Sequence, residues 1–148
     1  HACADLAARF AERVYAPVDK ADTLTARPYL AAPIYPVISM SAPNAHPGSR
    51  TQMLGLSPSL AMEQTHSPHL HVPNNAPAHF IIHAEDDDVV PVENSLLLRS
   101  ALKAQKVTVE THLFTHGGHG FGLRKAIGKP AEVWPDLFIS WAKTRGLW

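Results

Sequence analysis

The segment Phe80-Ile81-Ile82 constrains the fold of this chain more than any other. Three consecutive large apolar residues cannot alternate between core and solvent, so they suit a strand covered on both faces, as inside a parallel sheet. The run gives way to acid at Glu85, Asp86, Asp87 and Asp88. From Val92 to Gln105 the residues Leu97, Leu98, Ala101 and Leu102 supply an apolar helical face. After Lys106, Val107, Val109, Thr111 and Leu113 alternate with Thr108, Glu110, His112 and Phe114, the pattern of a half-exposed strand. Strand, helix and strand in this order predict a parallel pair joined by a right-handed crossover. A last helix is expected over Val133–Thr144, where Trp134, Leu137, Phe138 and Trp141 form a wide apolar face.

The first half of the chain is less regular. From His1 to Tyr15 the residues Cys3, Leu6, Ala7, Phe10 and Val14 recur at helical spacing, which predicts a helix with one buried stripe, ended by Pro17. Ile34 to Ile38 reads as a short strand, although Pro36 has no amide for a ladder. Residues 41–77 carry Pro43, Pro47, Pro58, Pro68, Pro73 and Pro77, which predicts an irregular insertion with one short helix within Leu54–Gln64. The expected class is α/β, a mainly parallel sheet with helices on both faces. Three strands are few for such a sheet, so the 148 residues read as part of one larger domain. The chain starts at His1 without an apolar leader, so its N-terminus reads as internal to a longer protein.

Composition excludes several classes of function. Lys and Arg number 13 and so do Asp and Glu, which leaves no basic excess for a nucleic-acid footprint. No apolar run approaches the roughly 18 residues of a membrane span. Cys3 is the only cysteine, so neither an intrachain disulfide nor a cysteine-based zinc site can form.

In open α/β sheets functional groups collect at the carboxyl ends of the strands. Two loops hold that position, Asp86-Asp87-Asp88-Val89-Val90-Pro91 and His116-Gly117-Gly118-His119-Gly120-Phe121-Gly122. An acid after one strand and a histidine after the next is the chain order of the second and third members of a serine hydrolase triad. The plain alternatives are a solvated or cation-binding acidic turn and a surface glycine loop with incidental histidines. His116-Gly117-Gly118 also resembles an oxyanion motif, but that motif belongs before the nucleophile. His66, His69 and His71 are clustered like zinc ligands, yet no carboxylate or cysteine accompanies them at ligand spacing and Pro68 interrupts them, so no metal is expected. Arg50 is expected in a surface ion pair, and Trp134 and Trp141 in the core. Ser39, Ser41, Ser49, Ser57 and Ser95 all lack the G-x-S-x-G context of a nucleophile elbow.

Ile34 to Met40 (IYPVISM), His46 to Gly55 (HPGSRTQMLG), Asp86 to Ser95 (DDDVVPVENS) and Gly117 to Gly122 (GGHGFG) together carry a family resemblance. Over nearly its whole length the chain is similar to the C-terminal half of α/β-hydrolase-fold esterases, the acetyl xylan esterase-like or bifunctional feruloyl and acetyl esterase-like group. The family pattern D-x-x-V-P implies Asp87 as the triad acid, with Asp86 and Asp88 as alternatives, and G-G-H-G-F-G implies His119 as the base, with His116 as competitor. His1-Ala2-Cys3-Ala4 resembles the continuation of the family's G-x-S-A-G-G-H, which implies a nucleophilic serine before His1. The resemblance thus implies a serine esterase acting through an acyl-enzyme on short acyl esters of carbohydrates, acetyl esters foremost. It implies no cofactor. The partners it implies are a small-molecule or oligosaccharide ester and the N-terminal half of the same fold, with neither nucleic acid nor membrane. Residues 1–148 would be the C-terminal part of one domain. A prolyl oligopeptidase-type peptidase, with similar acid and histidine loops, and a noncatalytic binding module of the same fold are the alternative expectations.

Overall fold

The apolar run forms the middle of a three-stranded sheet in the computed structural model, which describes residues 1–13 and 15–147. Strand β2 (Ala78–Ala84) lies between β1 (Leu30–Ala31) and β3 (Val109–Phe114), and both pairings are parallel. Successive β2 side chains point to opposite faces. Phe80, Ile82 and Ala84 pack with Phe114, Phe121 and Trp141, while Ile81 packs on the other face with Leu98 and Leu102. Two cores result, one on each side of the sheet.

Helix α4 (Glu93–Ala104) joins β2 to β3 and shares its face of the sheet with α1 (Ala2–Arg9), whereas α5 (Trp134–Thr144) covers the other. The rings of Phe80 and Trp141 lie 5.4 Å apart, and those of Phe80 and Phe138 5.5 Å. Phe80 is fully buried among them. Burial of such a side chain contributes about 2–3 kcal/mol, and Phe80→Ala, which also leaves a cavity, would cost about 3–5 kcal/mol.

The first half departs from the sequence reading in three places. Helix α1 ends at Arg9, and its buried side is Ala4, Ala7 and Ala8, while Cys3 and Leu6 are exposed. Small side chains let the helix backbone approach the core closely, so the alanine face outcompetes the bulkier stripe. Val14 lies outside the described residues. The strand expected at Ile34–Ile38 reduces to one bridge from Ile34 to Ile82, and the sheet edge is formed earlier, by Leu30–Ala31. Tyr35 takes a φ of 37°, outside extended geometry, and Asn94 Oδ1 accepts the amides of Ile38 at 2.8 Å and Ser39 at 2.9 Å. Those amides are therefore satisfied by a side chain instead of a neighbouring strand.

The insertion at 41–77 contains two short helices where one was expected, α2 (Pro47–Leu54) and α3 (Leu60–Thr65). Pro47 sits in the first turn of α2, the His46 ring accepts the Ser49 amide, and Gly55 at φ 85° ends the helix. Ser59 caps α3 by accepting the Met62 amide. Strand β3, expected to alternate, is half-buried from Val109 to Leu113, because it lies at the edge of the sheet where each core covers it only in part.

Candidate functional site

Because β2 and β3 run parallel, the loops that follow them emerge at the same edge. The Glu85 amide donates to the Phe114 carbonyl at 2.7 Å and ties the two strand ends together. In the turn after β2 the Asp87 side chain is fully buried. Its Oδ1 accepts the amides of Val89 at 3.0 Å and Val90 at 2.9 Å, and its Oδ2 accepts His119 Nδ1–H at 2.8 Å. Burial alone would raise the Asp87 carboxyl, but the Val90 amide, the His119 ring and the Val89 amide outweigh it and hold the group below the ordinary carboxylate range. Asp87 is ionised at neutral pH.

The three adjacent acids have different partners. Asp86 accepts the amides of Gly117 at 2.8 Å and Gly118 at 2.7 Å, which are the largest influences holding its carboxyl low. Its other oxygen lies 3.4 Å from His116 Nδ1, and the His116 ring is mostly in solvent. Asp88 is exposed. Only Asp87 therefore reaches His119, and of the two loop histidines only His119 meets the buried acid.

Local chain geometry presents the His119 ring. Gly118 and Gly120 flank it with φ of 68° and 67°, a region costly for residues with a Cβ, so the loop reverses tightly on both sides of the histidine. Lys129 Nζ donates to the Gly117 carbonyl at 2.9 Å and Trp134 Nε1 to that of Gly122 at 2.8 Å, which pins both ends. The Tyr35 ring meets His119 edge-on at 5.1 Å and Phe121 at 4.9 Å. Tyr35 does so from a left-handed backbone conformation, which is strained for a residue that is not glycine. About a third of the His119 side chain is exposed, and its Nε2 has no hydrogen-bond partner among the described residues.

Sequence reasoning missed three neighbours of this pair. His83 is completely buried, with Nε2 3.1 Å from Asp87 Oδ2 and 3.0 Å from the Val90 carbonyl, and Nδ1 2.8 Å from Ser95 Oγ. Asn94 is equally buried and donates from Nδ2 to the carbonyls of Asn44 at 2.9 Å and Pro91 at 3.0 Å, fixing the turn that follows Asp87. Tyr35 is the third. The available signal for His83 was an imidazole inside an apolar strand, four residues before an acid; a buried polar group needs a partner.

The remaining candidates lie elsewhere. Arg50 pairs with Glu63, which also accepts the Ser41 hydroxyl at 2.8 Å. Trp141 is buried, and Trp134 packs partly buried against the same core. His71 Nε2 donates to the Gln64 carbonyl at 2.8 Å, and among the described residues no three His, Cys, Asp or Glu side chains converge on a possible metal position.

Chemically, the site is an ionised carboxylate holding an imidazole with its proton on Nδ1 and its Nε2 lone pair directed away from the acid. Such a pair can accept a proton at Nε2 and stabilise the resulting imidazolium.

Comparison with known proteins agrees with this architecture. The acetyl ester-xyloside bifunctional hydrolase of Caldicellulosiruptor lactoaceticus superposes with a TM-score of 0.89 at 36% identity, over 97% of this chain and 52% of that one. The carboxylesterase Cest-2923 of Lactobacillus plantarum gives 0.66 at 25% identity, over 80% of this chain and 45% of that one. Endo-1,4-beta-xylanase B of Butyrivibrio fibrisolvens is 34% identical over 120 residues, 81% of this chain and 19% of that protein. The chain thus spans about half the length of these solved structures and about a fifth of the curated relative. Its parallel sheet with helices on both faces is part of an α/β-hydrolase fold. Residues 30–136, covering β1 to the start of α5, match the prolyl oligopeptidase family, and the chain belongs to that family.

Proposed function

We propose that the intact protein is a serine-type ester hydrolase that removes short acyl groups, acetyl foremost, from carbohydrates through an acyl-enzyme, with Asp87 as the acid and His119 as the base. The observation that carries this reading is the 2.8 Å hydrogen bond from His119 Nδ1 to the buried Asp87 carboxylate, with Nε2 left unpartnered beside it. The neighbours named as an acetyl ester-xyloside hydrolase and a xylanase support the acetylated-carbohydrate substrate.

No serine hydroxyl among the described residues lies within hydrogen-bonding distance of His119 Nε2. On this reading the nucleophile is a serine outside residues 1–148, and those residues form the C-terminal part of one hydrolase domain with the insertion at 41–77. His119 Nε2 takes the serine proton as Oγ bonds to the acyl carbon, then gives it to the departing sugar oxygen as the ester C–O bond breaks. In the second half water attacks the acyl-enzyme, loses a proton to Nε2, and the carboxylic acid leaves as that proton returns to the serine. Asp87 keeps Nδ1 protonated and offsets the positive charge of the ring in both halves.

The family match favours one second reading, a peptidase of the prolyl oligopeptidase type. Assay of the full-length protein on acetylated xylo-oligosaccharides and on prolyl peptides separates the two. Release of acetate without peptide cleavage is the expected result; peptide cleavage alone would replace the esterase reading.

A further inference from the structure

We infer that His83 is a positioning residue, whose neutral ring donates from Nε2 to Asp87 Oδ2 and thereby fixes the carboxylate that orients His119. The inference rests on the reading above, in which Asp87 and His119 are the acid and base.

The hydrogen-bond partners assign the tautomer. His83 Nε2 lies between Asp87 Oδ2 at 3.1 Å and the Val90 carbonyl at 3.0 Å. A carbonyl oxygen only accepts, so Nε2 carries the proton and shares it between the two. Nδ1 is then unprotonated and accepts the Ser95 hydroxyl at 2.8 Å. Burial, the largest influence, lowers the His83 pKa and outweighs the opposing Val90 carbonyl and Asp87 carboxylate, which fits a neutral ring.

Asp87 consequently accepts four donors: the Val89 and Val90 amides at Oδ1, and His119 Nδ1–H and His83 Nε2–H at Oδ2. Four is about the full accepting capacity of a carboxylate. The group has no free site toward which to turn, and its charge is divided among fixed donors. Without the His83 donor, Oδ2 keeps His119 Nδ1–H alone and more of the carboxylate charge is directed at that ring. The acid limb of the activity profile is therefore expected to move to higher pH. Of the other titratable groups near the pair, Asp86 and His116 face each other in the flanking turns and Tyr35 meets the His119 ring, and His83 has no hydrogen bond to any of them.

The test compares His83→Leu and His83→Gln with the native full-length protein, measuring kcat/KM against pH on an acetyl ester, with His119→Ala as control. Leucine removes the donor; the glutamine amide restores one at nearly the same reach. We expect the leucine variant to lose roughly ten- to a hundredfold in kcat/KM at neutral pH and to shift the acid limb upward, with glutamine regaining most of both. Should the leucine variant not fold, His83→Asn, whose shorter amide falls short of Oδ2, takes its place. An unmoved acid limb, or a glutamine variant no better than the leucine or asparagine one, overturns the inference and leaves His83 a packing residue. Activity surviving in His119→Ala would overturn the underlying reading instead.

Discussion

The carboxylate of Asp86 accepts the amide of Gly118, immediately before His119, at 2.7 Å. With the Gly117 amide at 2.8 Å on the same oxygen, Asp86 holds the backbone of the histidine loop while Asp87 holds its side chain. Asp86→Ala removes both backbone bonds and is expected to lower kcat about ten- to a hundredfold through displacement of His119. Asp86→Asn keeps an accepting oxygen and loses only the charge facing His116, so it should retain most activity. Steady-state kinetics of the two variants, with circular dichroism to verify folding, checks this; equal losses would assign the effect to charge.

His119→Ala and Asp87→Asn are expected to disable the same device by different routes. The first removes the proton acceptor, at a cost of about four to six orders of magnitude in kcat. The second leaves the imidazole but allows the wrong tautomer, at a cost of about four orders. Residues acting as one unit give non-additive losses, so the double variant should be little worse than His119→Ala. His116→Ala, which alters a mostly exposed ring, should be comparatively mild. A double-mutant cycle on kcat measures all four, and additive losses would separate the two residues.

Stability should fall as the medium is acidified below neutrality. His79 and His83, both buried on β2, have pKa values lowered from the ordinary 6.5 chiefly by burial. A histidine that is harder to protonate folded than unfolded contributes stability fully above its unfolded pKa, and that contribution is lost as pH falls toward the folded value. Each can therefore add a slope of up to about 1.4 kcal/mol per pH unit below 6.5. Asp87 adds a later loss, because its carboxyl is held below the ordinary 3.8 and its contribution disappears as pH falls through the folded value. Urea midpoints at a series of pH values should decline from pH 7 downward, with a shallower decline in His79→Gln. A flat profile would contradict the buried neutral state.

The parts of the fold that depend on short-range pattern were legible in the sequence. Phe80-Ile81-Ile82 marked a doubly covered strand, and the helical spacing before Gln105 and after Val133 marked α4 and α5, because each element buries a face its own residues define. That Asp87 and His119 come together, 2.8 Å apart, was legible from chain order after successive strands and from the family patterns around them; their roles belong to the proposal. The strand at Ile34–Ile38 was misread because Asn94, 56 residues beyond Ile38, supplies the acceptor that a neighbouring strand would otherwise provide. The buried side of α1 was misread because hydrophobic spacing favoured Cys3 and Leu6, whereas close approach to the core favours alanines. His83, on β2, was missed because its partners come from the turn after that strand and from α4, and meet it only when these elements pack.

The proposed roles of Asp87 and His119 require a serine, supplied by the rest of the protein, that His119 activates. The most direct test is labelling of the full-length protein with a serine-directed fluorophosphonate, followed by peptide mass spectrometry, in the native form and in His119→Ala. The expected result is one modified serine outside residues 1–148, labelled rapidly in the native protein and at least about a thousandfold more slowly in His119→Ala. Labelling of any serine within residues 1–148, or an unchanged rate in His119→Ala, would overturn those roles.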